Sequence, residues 1–450
     1  MLIDRESAVQ TILELLENRQ FALLKDELAS SRPADIVDVI GDIPIRDRAL
    51  VFRLLPKDMA IEVFEELPLD DQRLLLEAFS DEYVAEILDE MSPDDRAELF
   101  EEMPAKVCDK LMHLISPSER EMTAKLLGYK ENTAGRIMTP EYVAMHEDIT
   151  VEEAIKRIRS VALNKETIYY IYITDKQRKL TGVVSLRKLV IADPKTLVSQ
   201  IMSKDVIAVS TDQDQEEVAE TINKYDLLAV PVVDSEGRLV GIVTADDAAD
   251  IMVEEATEDI QMLGGIAAID ISYDRAGVFF LWRKRIAWLL LLILTSFVST
   301  SVIAAYQDVL EKVVALAFFV PLLIGSGGNT GTQASTLIVR ALGTCEITTK
   351  DWLRILWKEI RVGLLIAVCL GIIVYIRGYF WIGGPSVGMV VGLAMIVLVF
   401  GANIMGTVLP LILAKMKLDP AVISTPLIAT LIDITGLFVY FQIARIVLKI

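Results

Sequence analysis

One carboxylate stands inside a run of apolar residues. Asp433 lies in Ser424-Thr425-Pro426-Leu427-Ile428-Ala429-Thr430-Leu431-Ile432-Asp433-Ile434-Thr435-Gly436, 12 residues past Ala421 in an apolar stretch of about 26. A charge at the centre of a bilayer costs roughly 2.5–3.5 kcal/mol on insertion scales, so such an acid faces a partner or a pathway. No Lys, Arg or His stands at similar depth in another apolar run. Two explanations remain: a protonated, structural aspartic acid, or a site for a passing cation. No thiol or imidazole is near it in sequence, so the ligands would be hard oxygens, which suit Mg²⁺, Ca²⁺ or Mn²⁺. The carbonyl of Ala429, one helical turn earlier, shares the same face. Two copies meeting on a two-fold axis would hold a hydrated ion through its waters.

A second apolar run is interrupted by Gly325-Ser326-Gly327-Gly328-Asn329-Thr330-Gly331-Thr332-Gln333. Glycines there weaken a membrane helix and admit close backbone approach, and the polar side chains need partners or water. A helix-packing seam accounts for the glycines but not for Asn329 and Gln333.

The remaining carboxylates lie elsewhere. The 450 residues hold 64 acids and 44 bases, a net charge of −20. Residues 283–450 hold 7 acids and 14 bases, leaving 57 acids and 30 bases before them. So acidic a half needs counterions where its carboxylates crowd, and it argues against nucleic acid as a partner. Solubility alone accounts for many acidic proteins. Cys108, Cys345 and Cys369 are scattered, which fits a reducing compartment and excludes a disulfide framework. With only His113 and His146, a zinc site lacks ligands. The first residues have no apolar core of a signal peptide.

Five apolar runs position the membrane residues, at about 285–306, 314–340, 356–377, 387–414 and 421–446, each long enough to cross ~30 Å of hydrocarbon. Arg283, Lys284, Arg285, Lys350, Arg354, Lys358, Lys415 and Lys417 fall on one side, Lys312 and Arg377 on the other. This places the N-terminal half in the cytoplasm and the C-terminus outside. Residues 1–130 read as short amphipathic helices, with Pro44, Pro56, Pro68, Pro93, Pro104 and Pro117 about 12 residues apart and Ser80 filling the missing beat. That spacing suits two-turn helices stacked in a superhelix.

Residues 131–253 hold a duplication. Ile137-Met138 and Val151–Ile155 recur 64 residues later as Ile201-Met202 and Gln215–Ala219; Asp175 and Leu180–Ser185 recur 59 residues later as Asp234 and Leu239–Thr244. A tandem β-α-β-β-α unit of this kind resembles the CBS pair. That resemblance implies a nucleotide-contacting turn, intact as Gly241-Ile-Val-Thr244-Ala-Asp246-Asp247. The first copy ends Ser185-Leu-Arg187-Lys188, where lysine cannot accept hydrogen bonds from a ribose. Tyr170, Arg187 and Thr244 are the candidate nucleotide contacts, ATP the candidate ligand, and a dimerising scaffold without a ligand is the alternative. Residues 254–282 read as an acidic connecting helix ended by Gly264-Gly265.

The whole chain then resembles the MgtE family of Mg²⁺ channels. The strings carrying it are Ile-Met-Thr-Pro-Glu-Tyr-Val (137–143), Glu-Thr-Ile-Tyr-Tyr-Ile-Tyr (166–172), Gly-Gly-Asn-Thr-Gly (327–331) and Ala-Thr-Leu-Ile-Asp-Ile-Thr-Gly (429–436). The resemblance implies a multidomain membrane protein: an all-α superhelical N-domain (1–130), an α/β CBS pair (131–253), a connecting helix (254–282) and a five-span α-helical pore domain (283–450). It implies a homodimer in a bacterial inner membrane, with a pore lined by Asp433, Ala429, Asn329, Gly328, Thr332 and Thr425. The last two stand where the family often has Asn. It further implies that Mg²⁺ is both transported and regulatory. The matching sensor acids are Glu62, Asp94 and Glu98; Glu216, Asp226, Asp247 and Asp250; Glu255, Glu258 and Asp259; and Asp419. A proton-coupled or exchanging transporter is one rival, a CBS-based membrane nucleotide sensor the other. No phosphate loop or nucleophile–base arrangement points to an enzyme.

Overall fold

A computed structural model describes residues 5–162, 165–269, 273, 276–344, 346–380, 384–422 and 425–450. Cys345, Ser424 and part of the 254–282 segment lie outside them. The chain divides into two compact units, Met1–Val253 and Glu254–Ile450.

In the first unit the 12-residue beat is a row of helices. After Arg5–Glu17 and Phe21–Ser30 come Pro33–Asp42, Ile45–Phe52, Lys57–Glu65, Leu69–Ala78, Asp81–Glu90, Pro93–Glu102, Ala105–Leu114 and Pro117–Leu127, each starting 12 residues after the last. The residue before each start from Ile45 onward is Pro or Ser. Pro56, with φ −57° and ψ 145°, shows why. Its ring presets the extended backbone that a helix entrance needs, at a position where no backbone donor is required. The helices close over Leu24, Ile40, Phe52, Phe64 and Leu88, all fully buried, and each such side chain contributes about 1.5–3 kcal/mol of transfer free energy. Arg96 is fully buried with them. Arg96 donates to the carbonyls of Leu88 (2.7 Å) and Met91 (3.0 Å), to Thr123 Oγ1 (2.8 Å) and to Glu119 Oε2 (2.5 Å).

The duplication folds as two three-stranded sheets. β1 (Ala144–His146), β2 (Tyr170–Thr174) and β3 (Leu180–Ser185) form one, β4 (Val209–Ser210), β5 (Ala229–Val233) and β6 (Leu239–Thr244) the other. In both, the first pair is parallel and the second antiparallel, with an irregularity at matching places, Ile173/Thr174 and Val232/Val233. The recurring landmarks now have a packing reason. Met138, which opens the first copy, packs on Gly241 of the second, and Met202, which opens the second, packs on Gly182 of the first. A Cβ on either glycine would collide with that methionine, so the two copies interlock through a Met–Gly exchange.

Among the described residues, the second unit holds five helices of membrane-crossing length: Val278–Ala305, Val314–Gly343, Thr349–Gly378, Gly384–Lys415 and Thr425–Leu448, hereafter spans 1 to 5. Span 3 starts seven residues before the expected 356, because Thr348 and Asp351 form a capping box ahead of it. Span 5 starts at Thr425, because Pro420–Val422 is a separate 3₁₀ turn. Span 4 is the most covered by its neighbours and span 1 the least.

Candidate ion pathway and carboxylate clusters

The polar, glycine-rich string of span 2 is helical throughout. The span's regular α-helix runs from Val320 to Gly343 straight through the glycine string. What the glycines change is the distance to neighbouring helices. Leu398 of span 4 and Ile432 of span 5 lie where a Cβ on Gly327 would go; Ile432 and Ile428 crowd Gly331 in the same way. A Cβ on Gly406 of span 4 would overlap the carbonyl oxygen of Gly331. The seam reading therefore holds for these glycines.

The same seam sets the candidate pore residues. A Cβ on Gly328 would stand 3.4 Å from that of Ala429, so spans 2 and 5 touch at this level. Asp433 follows Ala429 by one turn and is half-buried, and no hydrogen bond or ion pair reaches it among the described residues. Along span 2, Gly325, Asn329, Gln333, Thr336 and Arg340 are exposed and Thr332 is half-buried. They recur at three or four residues, so one polar stripe of the helix is left uncovered by its own chain. Thr425, a candidate pore residue, lies at the start of span 5. Its Oγ1 donates to the carbonyl of Leu263 at 2.6 Å, capping the helix Ala245–Leu263.

In the first unit, acids from distant segments crowd together. Asp94 and Asp95 open the helix Pro93–Glu102, and Asp246 and Asp247 open the helix Ala245–Leu263. One carboxylate oxygen of Asp94 is shielded from solvent without a hydrogen-bond partner. Burial, then the charges of Asp247, Asp95 and Glu166, push the Asp94 carboxyl well above its ordinary range. Asp95 is pushed up to about 8 by burial, then by Glu65, Asp247, Glu98 and Glu166. Glu166 rises to about 7 through burial, Asp247, Asp246 and Glu65. Asp247 rises through burial, with Asp246 and Asp250 adding, although Thr244 opposes this by hydrogen bonding to it. Glu65, raised by burial, accepts the Ser92 N–H at 2.6 Å and feels Glu62.

Of the sequence-derived sensor acids, then, Asp94, Glu98, Asp247 and Asp250 come together, with Glu62 next to Glu65. Glu216 and Asp226 stand at the surface, at the start and just past the end of the helix Gln215–Lys224. Sequence reasoning missed Glu65, Asp95, Glu166 and Asp246. The doublets Asp94-Asp95 and Asp246-Asp247 at helix starts were the available signal for two of them. In the second unit, Asp259 is pushed up to about 6 by burial, then by Asp419, Glu255 and Glu258, with Arg340 pulling the other way. Asp419 accepts the Ala421 N–H at 2.7 Å. Among the described residues no three His, Cys, Asp or Glu side chains are gathered tightly enough to hold a metal ion directly. These are fields of crowded charge rather than finished ligand cages.

Two of the candidate nucleotide contacts, Tyr170 and Arg187, lie where β2 begins and β3 ends, and Thr244 ends β6. Tyr170 pairs with Ser185, and Arg187 is exposed just after it. Ser185 Oγ accepts the Lys188 N–H at 3.3 Å, and Thr244 holds Asp247 in the equivalent turn of the second copy.

Comparison with known proteins accounts for this arrangement. Residues 320–443 match a family described as divalent cation transporter, residues 31–132 the MgtE intracellular N domain, and residues 134–195 and 198–254 the CBS domain. The magnesium transporter MgtE of Thermus thermophilus is 49% identical over 324 residues, 72% of each chain. That of Bacillus subtilis is 38% identical over 326 residues, again 72% of each. A crystal structure of the cytosolic domain of the Mg²⁺ channel MgtE in complex with ATP covers 54% of this chain and 99% of its own, with 41% identity and TM-score 0.52. The soluble part of a magnesium transporter covers 56% and 100%, with 33% identity and TM-score 0.52. These relatives are transporters and not enzymes. With its helical N-domain, CBS pair and five spans, the chain belongs to the MgtE family of magnesium transporters.

Proposed function

We propose that the chain is a Mg²⁺ channel of the bacterial inner membrane that cytosolic Mg²⁺ closes. The observation that carries this is Asp433, an acid inside a membrane span with no protein partner among the described residues, one turn from the Gly328–Ala429 contact. An ion on its way through is the counter-charge the protein does not supply. Asp433 and the Ala429 carbonyl hold Mg²⁺ through its water shell, since Mg²⁺ sheds water reluctantly. The uncovered polar stripe of span 2, with Asn329 and Thr332, supports a two-fold pore in which a second copy supplies the opposite wall. The N-terminal half is cytoplasmic and the C-terminus outside. The segments 1–130, 131–253, 254–282 and 283–450 act as sensor, scaffold, connector and pore.

Closure follows from the crowded acids. Without Mg²⁺ they repel, which holds apart the state that needs them close; Mg²⁺ bound among Asp94, Glu98, Asp247 and Asp250, and near Asp259 and Asp419, removes the repulsion and favours that state. Glu62, Glu216, Asp226, Glu255 and Glu258 add to the same field. The ATP in the related cytosolic domain supports Tyr170, Arg187 and Thr244 as an ATP site that tunes the sensor. Lys188 there meets phosphates rather than ribose.

The test is Mg²⁺ flux into liposomes carrying purified protein, without a proton gradient. Wild type conducts and Asp433→Ala does not. Flux through Asp433→Ala at the wild-type rate would overturn the pore assignment, and flux that needs a proton gradient would favour the proton-coupled transporter.

A further inference from the structure

Two of the ATP candidates, Tyr170 and Arg187, lie at one end of the first CBS sheet; the opposite end, four residues and about 13 Å further along β2, carries a separate cavity of about 360 Å³. Tyr142, Met145, His146, Arg157, Arg178 and Leu239 are among its lining residues. Three of these are basic. β1 sets His146 beside Thr174, and His146 Nδ1 lies 3.1 Å from the Thr174 carbonyl. That nitrogen is therefore the donor, and Nε2 is left for a ligand. Arg178 Nη2 donates to Tyr142 Oη at 3.2 Å, and Tyr142 donates to the Leu239 carbonyl at 3.0 Å. Arg178 is thus held by neutral groups. Neither Arg157 nor Arg178 has a carboxylate partner among the described residues, so both guanidiniums are left for a ligand on the same cavity.

The duplication supplies a control. The positions matching His146, Arg157 and Arg178 in the second copy are Ser210, Thr221 and Gly237. The fold does not require basic residues at these places. Arg178 also has φ +65° where Gly237 has φ +78°. Glycine takes this backbone without steric cost and arginine does not, so the first copy keeps a side chain where the fold favours none.

We propose that this cavity binds a small phosphomonoester. Its phosphate sits between the Arg157 and Arg178 guanidiniums, whose planar forks suit phosphate oxygens, with Tyr142 and His146 alongside and the organic part against Met145 and Leu239. A volume at the small end of ligand pockets suits a sugar phosphate better than a nucleoside triphosphate. This site is distinct from the ATP candidates and stands independently of the channel reading.

Calorimetric titration of the full-length protein in detergent and Mg²⁺-free buffer tests it, with ribose 5-phosphate, inorganic phosphate and ATP as probes. Ribose 5-phosphate is expected to bind more tightly than inorganic phosphate. Arg157→Gln should weaken it about tenfold, Tyr142→Phe should weaken it in the same direction, and Arg187→Gln should leave it unchanged. The Arg157 side chain has no hydrogen bond or ion pair among the described residues, so its variant should melt like wild type. Absence of ribose 5-phosphate binding would overturn the proposal. So would binding that survives Arg157→Gln but is lost in Arg187→Gln, or equal affinity for inorganic phosphate.

Discussion

Asp95 and Glu166, at about 8 and about 7, each bind a proton over a pH range where an unfolded carboxyl, at about 4, does not. The folded state then holds more protons than the unfolded one, and its stability falls as pH rises from about 4 towards 8. On the sensor reading proposed above, Mg²⁺ competes for the same oxygens, so its binding expels protons. Lowering the pH from 8 to 6 should weaken Mg²⁺ binding to the soluble half, and titration in two buffers of different ionisation heat should reveal proton release at pH 7. A pH-independent affinity would remove these acids from the sensor. Above about pH 8, where Asp95 is ionised, Asp95→Asn relieves the repulsion without an ion. It should raise the Mg²⁺-free stability by about 1 kcal/mol, the usual scale of surface-charge optimisation, while weakening the response to Mg²⁺. Thermal melts with and without Mg²⁺ separate the two effects.

Among the elements, glycines divide by what they face. Gly406 and Gly401 are on the same helix, span 4, yet a Cβ on Gly406 would enter the backbone of span 2 whereas one on Gly401 meets nothing within 4 Å. Backbone cannot move aside as a side chain can. Gly406→Ala should therefore destabilise the membrane unit by about 1–3 kcal/mol, the usual cost of overpacking, and Gly401→Ala should be near neutral. Recovery of monodisperse protein after mild heating in detergent reads the difference. The helical N-domain gives the opposite lesson about legibility. Its 12-residue beat could be read directly, because Pro and Ser at helix entrances act on their own backbone. Arg96, which ties Leu88, Met91, Glu119 and Thr123 together, could not, since nothing local distinguishes it from a solvated arginine.

For the whole molecule, the proposed gating makes Mg²⁺ a ligand of the acidic first half as well as cargo of the membrane half. A ligand that binds one state stabilises it by about 2.7 kcal/mol at a hundred times its Kd. Mg²⁺ should accordingly protect the soluble half from proteolysis, and chelation should remove that protection. Neutralising Asp94 together with Asp247, as the amides, should leave Mg²⁺ flux intact but blunt its inhibition by internal Mg²⁺. Wild-type inhibition in that double variant would sink the sensor assignment.

The order of segments, the five spans, the CBS duplication and the isolated Asp433 were all legible in the amino-acid sequence. Hydropathy, repeats and helix entrances are properties of neighbouring residues. Family resemblance added the sensor acids one position at a time. Tertiary structure decided which acids crowd each other: it added Glu65, Asp95, Glu166 and Asp246 to the cluster and left Glu216 and Asp226 at the surface. It packed span 2 against spans 4 and 5 through Gly327 and Gly331, and it occupied the Thr425 hydroxyl with the Leu263 carbonyl. The physical reason is common to these cases. A carboxylate's proton affinity, a glycine's freedom and a hydroxyl's partner are set by atoms from distant parts of the chain, and folding alone determines which of them arrive.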